Sequence, residues 1–362
     1  MTDRAIGAER EDRAPAADWR RMRAILLLPP VLALAYPFLL QGFNASVFVI
    51  QSGADEFAAW STAAVTLLGA FGIPIFALLT AMSLASIDMP TAAQRKATHI
   101  AVLAVAAAPS FVFLGVGLYM LHSPVPDTWF WVVAWAVACI VVAIADNRSP
   151  IKLTAKVAPG WLRVMHGICA ACIVVVFLSL HITNHLFFVE GESEYMVVMK
   201  LFRQVYRGVV VQPVLVALLL FQVAGGLYLG MRRASAPMDR YRTFQFASGV
   251  FLALYIVGHM DSVLIFARTY LSIDSDWGFA TGAPAGLIKD AWNIRLVPHY
   301  GLGVFFVLAH LFSGLRVVIL THGVRKVIAD RVMISGSVAA ALTACVIMLG
   351  MCGVRVSFVL PA

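Results

Sequence analysis

The sequence predicts an all-α integral membrane protein. Of its 362 residues 61% are hydrophobic and only 13% charged, and the mean hydropathy is +0.87, far outside the range of soluble domains. The apolar residues form runs close to the roughly 20 residues that a helix needs to cross the hydrocarbon core. Most arginines and lysines stand in short loops between those runs. The net charge of +8 would suggest nucleic acid in a soluble chain, but here it reads as topology, with the lipid bilayer as partner and no nucleic acid.

Taken in order, nine segments qualify, near 25–46, 60–84, 98–121, 128–146, 164–188, 208–231, 243–267, 298–320 and 332–353. Residues 1–24 form a polar tail with no short apolar core and small-residue cleavage site, so no cleaved signal peptide is expected. Loops reaching one side carry Arg20, Arg21 and Arg23, then Arg95 and Lys96, then Arg148, Lys152, Lys156 and Arg163. Arg232, Arg233, Arg240 and Arg242, then Arg325, Lys326 and Arg331, follow on the same side. The opposite loops hold Asp55, Glu56, Asp127 and the acidic stretch Glu190 to Glu194, with a longer mixed loop over 268–297. An excess of Lys and Arg marks cytoplasmic loops. The expected location is therefore the cytoplasmic (inner) membrane, with the N-terminus cytoplasmic and the C-terminus outside.

The basic loop from Asp146 to Arg163, with Pro150, Pro159 and Gly160, divides the chain into a four-helix region, 25–147, and five later helices. The helix starts in the two parts correspond loosely, as they would after a duplication that lost its histidines. His99 and His122 are the only histidines before the loop; His166, His181, His185, His259, His299, His310 and His322 follow it. Cys139, Cys169, Cys172, Cys345 and Cys352 fall in apolar segments. No disulfide framework or zinc site is indicated, and the Cys169/Cys172 pair lacks the following histidine needed for covalent haem attachment, so both read as packing residues.

Ionisable side chains within membrane helices are costly and are read first as functional. At 1.5 Å per residue, His181 lies about 25 Å and His259 about 24 Å from the cytoplasmic ends of their helices, one layer near the outer face. His310 lies about 15 Å from the cytoplasmic end, level with Gln222. Two imidazoles facing each other across a bundle are the usual axial pair for haem b. Gly225, Gly226, Gly258, Gly301, Gly303 and Gly314 are available to let a flat macrocycle approach. The competing reading is that each histidine bonds only to a carbonyl or a water between helices.

The remaining candidates are secondary. His185, a turn beyond His181, would meet a propionate or a quinone, or simply sit at the interface. His166 would complete the inner layer in place of the glutamine, or be solvated at its helix end; His299 marks the opposite end of another helix. Asp261 would relay a proton or bond to a neighbouring helix. Arg203, Arg207, Arg268 and Arg295 would neutralise propionates or anchor helix ends. Gln212 and Pro213 mark a helix start where a quinone could bind.

The segments "RVMHGICAACIVVVFLSLHITNHLF", "LLLFQVAGGLYL", "YRTFQFASGVFLALYIVGHMDS" and "FFVLAHLFSGLRVV" resemble successive helices of one family. It is the single-chain, five-helix, dihaem cytochrome b anchor subunit of succinate dehydrogenase and fumarate reductase. The resemblance covers about 160–356. It implies a cytochrome b-like bundle whose outer haem b is held by His181 and His259. The inner haem is held by His310 opposite a second-helix histidine, and that position is Gln222 in this chain. An amide is a poor iron ligand, so the inner haem would be absent, five-coordinate through His310, or completed by another residue. The resemblance also implies quinone, and flavoprotein and iron–sulfur partner subunits. The chain has no flavin motif or cysteine cluster of its own, and no catalytic residues are expected beyond this electron-transfer role. The lost ligand and the four added helices leave a second reading open, a haem-poor or haem-free transporter or assembly factor built on the same fold.

Overall fold

The structure, a computed structural model, describes residues 16–53 and 56–356, with side chains from Arg23 onward except that of Glu56. Asp55 falls outside the described residues. The fold is helical, 79% of it, with no strand among the described residues. Seven helices are long and apolar enough to cross a membrane, or eight if one bent pair is a single span. These helices fit an integral membrane protein. The expected count of nine is not confirmed, and two of the expected segments take a different form.

The chain begins with α1 (Ala16–Ser52) and α2 (Glu56–Ala85). α1 carries Pro29, Pro30 and Pro37 within it. A proline lacks the N–H that would bond the carbonyl four residues back, and in lipid a freed carbonyl must find another donor. Pro37 frees Ala33, and the indole Nε1–H of Trp131 donates to that oxygen at 2.7 Å. Tyr36, Phe111 and Trp131 pack ring to ring around the repair, with centroids 5.2–6.2 Å apart.

The run expected to be one span over 98–121 is two helices, α3 (Ala92–Val105) and α4 (Ala107–Met120), bent by 68°. Pro109 cannot donate to Val105, and Ala106 N–H turns back to Leu103 O at 3.0 Å. The segment expected over 128–146 is α5 (Asp127–Ala143), 17 residues, about 25 Å long at 1.5 Å per residue and short of a bilayer core. Asp146 stops the chain from continuing as helix, because its carboxylate accepts the backbone N–H groups of Arg148 at 2.9 Å and Ser149 at 3.3 Å.

α6 (Gly160–Ile173) starts directly after Pro159, which serves as its N-cap residue. It continues through a π-helical turn, Val174–Leu178, into α7 (Ser179–Leu186). The stretch after it is not only loop. α8 (Glu192–Tyr206) is a surface helix whose buried residues are Tyr195 and Met199. α9 (Val211–Arg233) has Pro213 in its first turn, where the missing N–H has no helical partner to lose. α10 (Arg240–Met260) continues into a longer π-helical segment, Asp261–Tyr270, with Leu271 N–H bonding Phe266 O at 2.9 Å. The short α11 (Trp277–Thr281) precedes α12 (Leu296–Thr321) and α13 (Lys326–Met351).

α6–α7, α9, α10 and α12 surround an elongated cavity, and α13 packs on α12, where Gly336 admits the Phe312 ring; a Cβ there would lie 2.2 Å from Phe312 Cγ. α2, α3 and α4 cover the other side of α10. One buried apolar cluster runs through both parts of the chain, from Ala33 to Met351. The buried Arg295 ties the start of α12 to Asp127 at the start of α5 and lies over the Phe111 ring, 4.6 Å from its centroid.

Trp131→Phe removes the donor to Ala33 and should lower stability in detergent by about 1 kcal/mol, the net worth of one such bond. In a Pro37→Ala background, where residue 37 regains its N–H, the same substitution should cost much less. A double-mutant cycle by thermal unfolding measures the difference; equal costs in the two backgrounds would contradict the repair.

Candidate functional site

The cavity has a volume of about 1350 Å³, above the roughly 300–1000 Å³ usual for a single small-ligand pocket. It extends past both His166 and His181 on one wall, a separation of about 22 Å at 1.5 Å per residue. α6 and α9 bury little of themselves, 11% of the apolar stretch of each span compared with 39% for α12. Two clusters of histidine occupy its ends.

At one end α7 brings His181 and His185 to the cavity and α10 brings His259. The His181 and His259 rings are 6.1 Å apart, centroid to centroid. Two imidazoles bound to one metal at about 2 Å from each nitrogen would stand roughly 6 Å apart in the same measure, so the spacing suits an axial pair. His185 Nε2 lies 3.1 Å from His181 Nε2 and shares one hydrogen with it. A ligand role for His181 through that nitrogen requires His185 to turn aside. Among the described residues no group of three or more His, Cys, Asp or Glu is arranged to hold a metal ion.

Each ring is backed by an aromatic one helical turn before it. Phe177 stacks on His181 at 4.8 Å and Tyr255 on His259 at 5.6 Å. Tyr255 is itself seated on Gly303, where a Cβ would come within 2.2 Å of its ring, and it touches His299 at 4.7 Å. His299 is buried behind this layer, its Nδ1 without a partner, and does not line the cavity. The π-helical turns stand immediately beside the two ligand candidates, one before His181 and the other after His259. Such turns are rare and concentrate at functional sites.

The mouth at this end is cationic. Arg203, Arg207 and Arg268 line it, and Arg268 reaches Gln212 Oε1 at 3.4 Å. Arg203 and Arg207 hold Asp274 at 2.9 and 3.1 Å, while the Nε atoms of Arg207 and Arg268 are buried without partners. Three guanidiniums face one carboxylate here, leaving charge to meet an anionic group. Arg295, expected to join them, is committed to Asp127 instead. Asp261 has a buried Oδ2 with no partner and is absent from the cavity wall.

At the other end the wall holds His166, Gln222 and His310. His310 Nδ1 shares a hydrogen bond with Ser248 Oγ at 2.8 Å, which fixes the ring and leaves Nε2 unengaged. The expected layer of His310 and Gln222 thus gains a third member. Gln222 Nε2 lies 3.4 Å from the ring of the half-buried His166, at Nε2. Arg163, Arg232, Arg233 and Arg242 line this mouth. Of the glycines noted in the sequence, Gly226, Gly303 and Gly314 reach the cavity. Gly258 instead faces Phe113 and Gly301 faces Phe71.

Compared with known proteins, the chain matches no family model, no curated protein and no solved structure. The chemistry of the site therefore rests on its residues. They fit a haem: paired imidazoles from different helices, a long apolar cavity, glycine at its walls, and guanidiniums with unpartnered nitrogens at a mouth. Tyr255, Phe177, Ser248 and the His181–His185 contact were not singled out in the sequence. The first two had a signal there, an aromatic residue four before each histidine; the others depend on how the helices pack.

Two predictions follow from these contacts. Gly303→Ala would push Tyr255 toward His259 and should cost about 1–3 kcal/mol in thermal stability, the usual range for overpacking, whereas Gly314→Ala, with open space at its Cβ, should be close to neutral. Partial burial pushes the Asp274 carboxyl up, but hydrogen bonds and charge from Arg207 and Arg203 outweigh it and hold the group below its ordinary value of 3.8. Its contribution is thus fully present above that value and is lost as pH falls through the lower folded value. Hydrogen exchange over 271–276 should quicken in that acid range, and Asp274→Asn should show raised exchange already at neutral pH with no further acid step.

Proposed function

We propose that this protein is a haem b-binding membrane subunit that carries electrons, with quinone as its lipid-phase partner, in a complex similar to succinate dehydrogenase or fumarate reductase. The observation that carries the reading is the His181–His259 pair, 6.1 Å apart across a cavity and presented by different helices. A haem bound there supplies one-electron iron chemistry. The protein's part is to hold and tune it. Phe177 and Tyr255 fix the two imidazole planes, the apolar wall excludes water, and Arg203, Arg207 and Arg268 offset carboxylate charge at the mouth.

Flavin and iron–sulfur chemistry would come from partner subunits, consistent with the family that residues 160–356 resemble. In this reading the mouth lined by Arg163 faces the cytoplasm and the histidine pair lies toward the outer leaflet.

Protein purified from a haem-sufficient host should show a b-type reduced-minus-oxidised spectrum. His181→Ala and His259→Ala should each reduce that pair's low-spin signal by at least tenfold, as expected when a six-coordinate site loses one axial ligand. Colourless wild-type protein would sink the proposal and favour the haem-free transporter or assembly reading.

A further inference from the structure

A second, smaller pocket lies where α10 begins and α12 ends, at the same end of the bundle as the basic loops around Arg232, Arg240 and Arg325. Its volume is about 270 Å³, just under the roughly 300–1000 Å³ of a drug-sized ligand's pocket, so it suits a headgroup-sized group. Tyr241, Arg242 and Gln245 line it from α10, and Ser313, Arg316 and Val317 from α12. Arg242, Gln245 and Val317 also belong to the wall of the large cavity, whereas Tyr241, Ser313 and Arg316 do not. Two of its polar residues are buried although they line a pocket: Ser313 is 2% exposed and Arg316 8%.

Arg316 is held in place by its neighbours. Its Nε donates to Asp330 Oδ1 at 2.7 Å, and its guanidinium carbon lies 3.9 Å from the centroid of the Tyr241 ring. Lys326 donates to the other oxygen of the same carboxylate at 3.2 Å, so two cations share that one charge. Among the described residues no hydrogen bond forms to the two terminal nitrogens of Arg316, and a guanidinium has five N–H donors to place. Arg242 adds a second cation to the wall, its Nε 3.5 Å from the exposed Asp239 carboxylate. Arg242, Arg316 and Lys326 set against Asp239 and Asp330 leave one positive charge in excess. Fixed planar donors around a small space match the oxygens of a phosphate.

The surroundings favour a lipid as the source of that phosphate. Val317 forms part of the pocket wall, and with Leu315 and Val318 it is exposed along α12. On a membrane-spanning helix such side chains meet acyl chains, so a headgroup in the pocket can keep its tails on this apolar stretch. Basic pockets between membrane helices on the cytoplasmic side take anionic headgroups, and this end carries the loops expected in the cytoplasm.

We propose that this pocket binds the phosphate of an anionic phospholipid, with Arg316 and Arg242 meeting the phosphate oxygens and Tyr241 and Asp330 holding Arg316 in position. This site is independent of the haem reading.

The test is native mass spectrometry of delipidated full-length protein in a neutral detergent, with dioleoyl phosphatidylglycerol or dioleoyl phosphatidylcholine added. The first bound lipid should favour phosphatidylglycerol by about fivefold, the factor that one basic charge near a membrane surface contributes. Arg316→Met combined with Asp330→Asn removes the central cation together with its partner, leaves no charge buried alone, and should abolish the preference. Arg242 has a side chain 54% exposed, so Arg242→Gln should fold as wild type and lose the preference as well. Lys96→Gln, which removes an exposed charge from the same end of the bundle, should keep it. Thermal unfolding reports that each variant is folded.

Equal binding of the two lipids by wild type would overturn the proposal, as would a preference that survives Arg242→Gln. Glycerol 3-phosphate carries the same phosphate chemistry without tails. Its failure to displace the lipid at equal concentration is expected, and displacement would make the occupant a water-borne phosphate compound and overturn the lipid assignment.

Discussion

Within hydrocarbon no water replaces a missing hydrogen bond, and the architecture of this protein follows from how it meets that constraint. The backbone meets it by folding into helices. At Pro37 another element supplies a donor, Trp131 bonding the freed Ala33 carbonyl. Near Pro109 the helix breaks instead, between α3 and α4. Ionised groups near helix ends are mostly paired or stacked: Arg316 bonds Asp330 at 2.7 Å and lies 3.9 Å over the Tyr241 ring. Against this background the unsatisfied polar atoms stand out. Buried side-chain atoms of His166, His185, His299, Gln222 and Asp261 remain without partners, and three of those five residues line one cavity.

The two ends of that cavity differ in how their histidines are supported. The His181–His259 end is aromatic: Phe177 and Tyr255 limit ring rotation by stacking, and Gly303 gives Tyr255 its seat. The opposite end is polar, with Ser248 and Gln222 fixing rings through hydrogen bonds. Hydrogen bonds to an imidazole alter its basicity, whereas stacking chiefly fixes its plane, so the two ends hold their histidines in different ways.

Much of the helical framework was legible because long Leu-, Val- and Ala-rich runs have few alternatives in lipid. Average hydropathy hid the break at Ala106, since Pro109 changes one backbone bond while leaving the apolar average high. It also hid the shortness of α5, whose end is set by the Asp146 turn rather than by hydrophobicity. α8 was missed because its apolar positions Tyr195 and Met199 serve one face of a surface helix, interleaved with charge. The site histidines were visible as costly residues at computable depths. Depth arithmetic assumes a uniform 1.5 Å rise, however, and the π-helical turns beside His181 and His259 alter the rotation of each helix without any sequence signature. The sequence left His166 between a ligand role and a solvated helix end, and only packing places its ring against Gln222 and Gly226.

The Arg295–Asp127 contact bears on where this molecule can be divided. Gly115 leaves the space for it, since a Cβ there would fall 2.5 Å from the guanidinium and 2.9 Å from the carboxylate. Three elements thus converge on one charge: α4 supplies the gap, α5 the anion, and the turn into α12 the cation. A fragment beginning at residue 160 would keep every cavity histidine yet expose a bare guanidinium at the helix that carries His310. The first five helices thus supply a counter-ion and a cover to the bundle that holds the histidines.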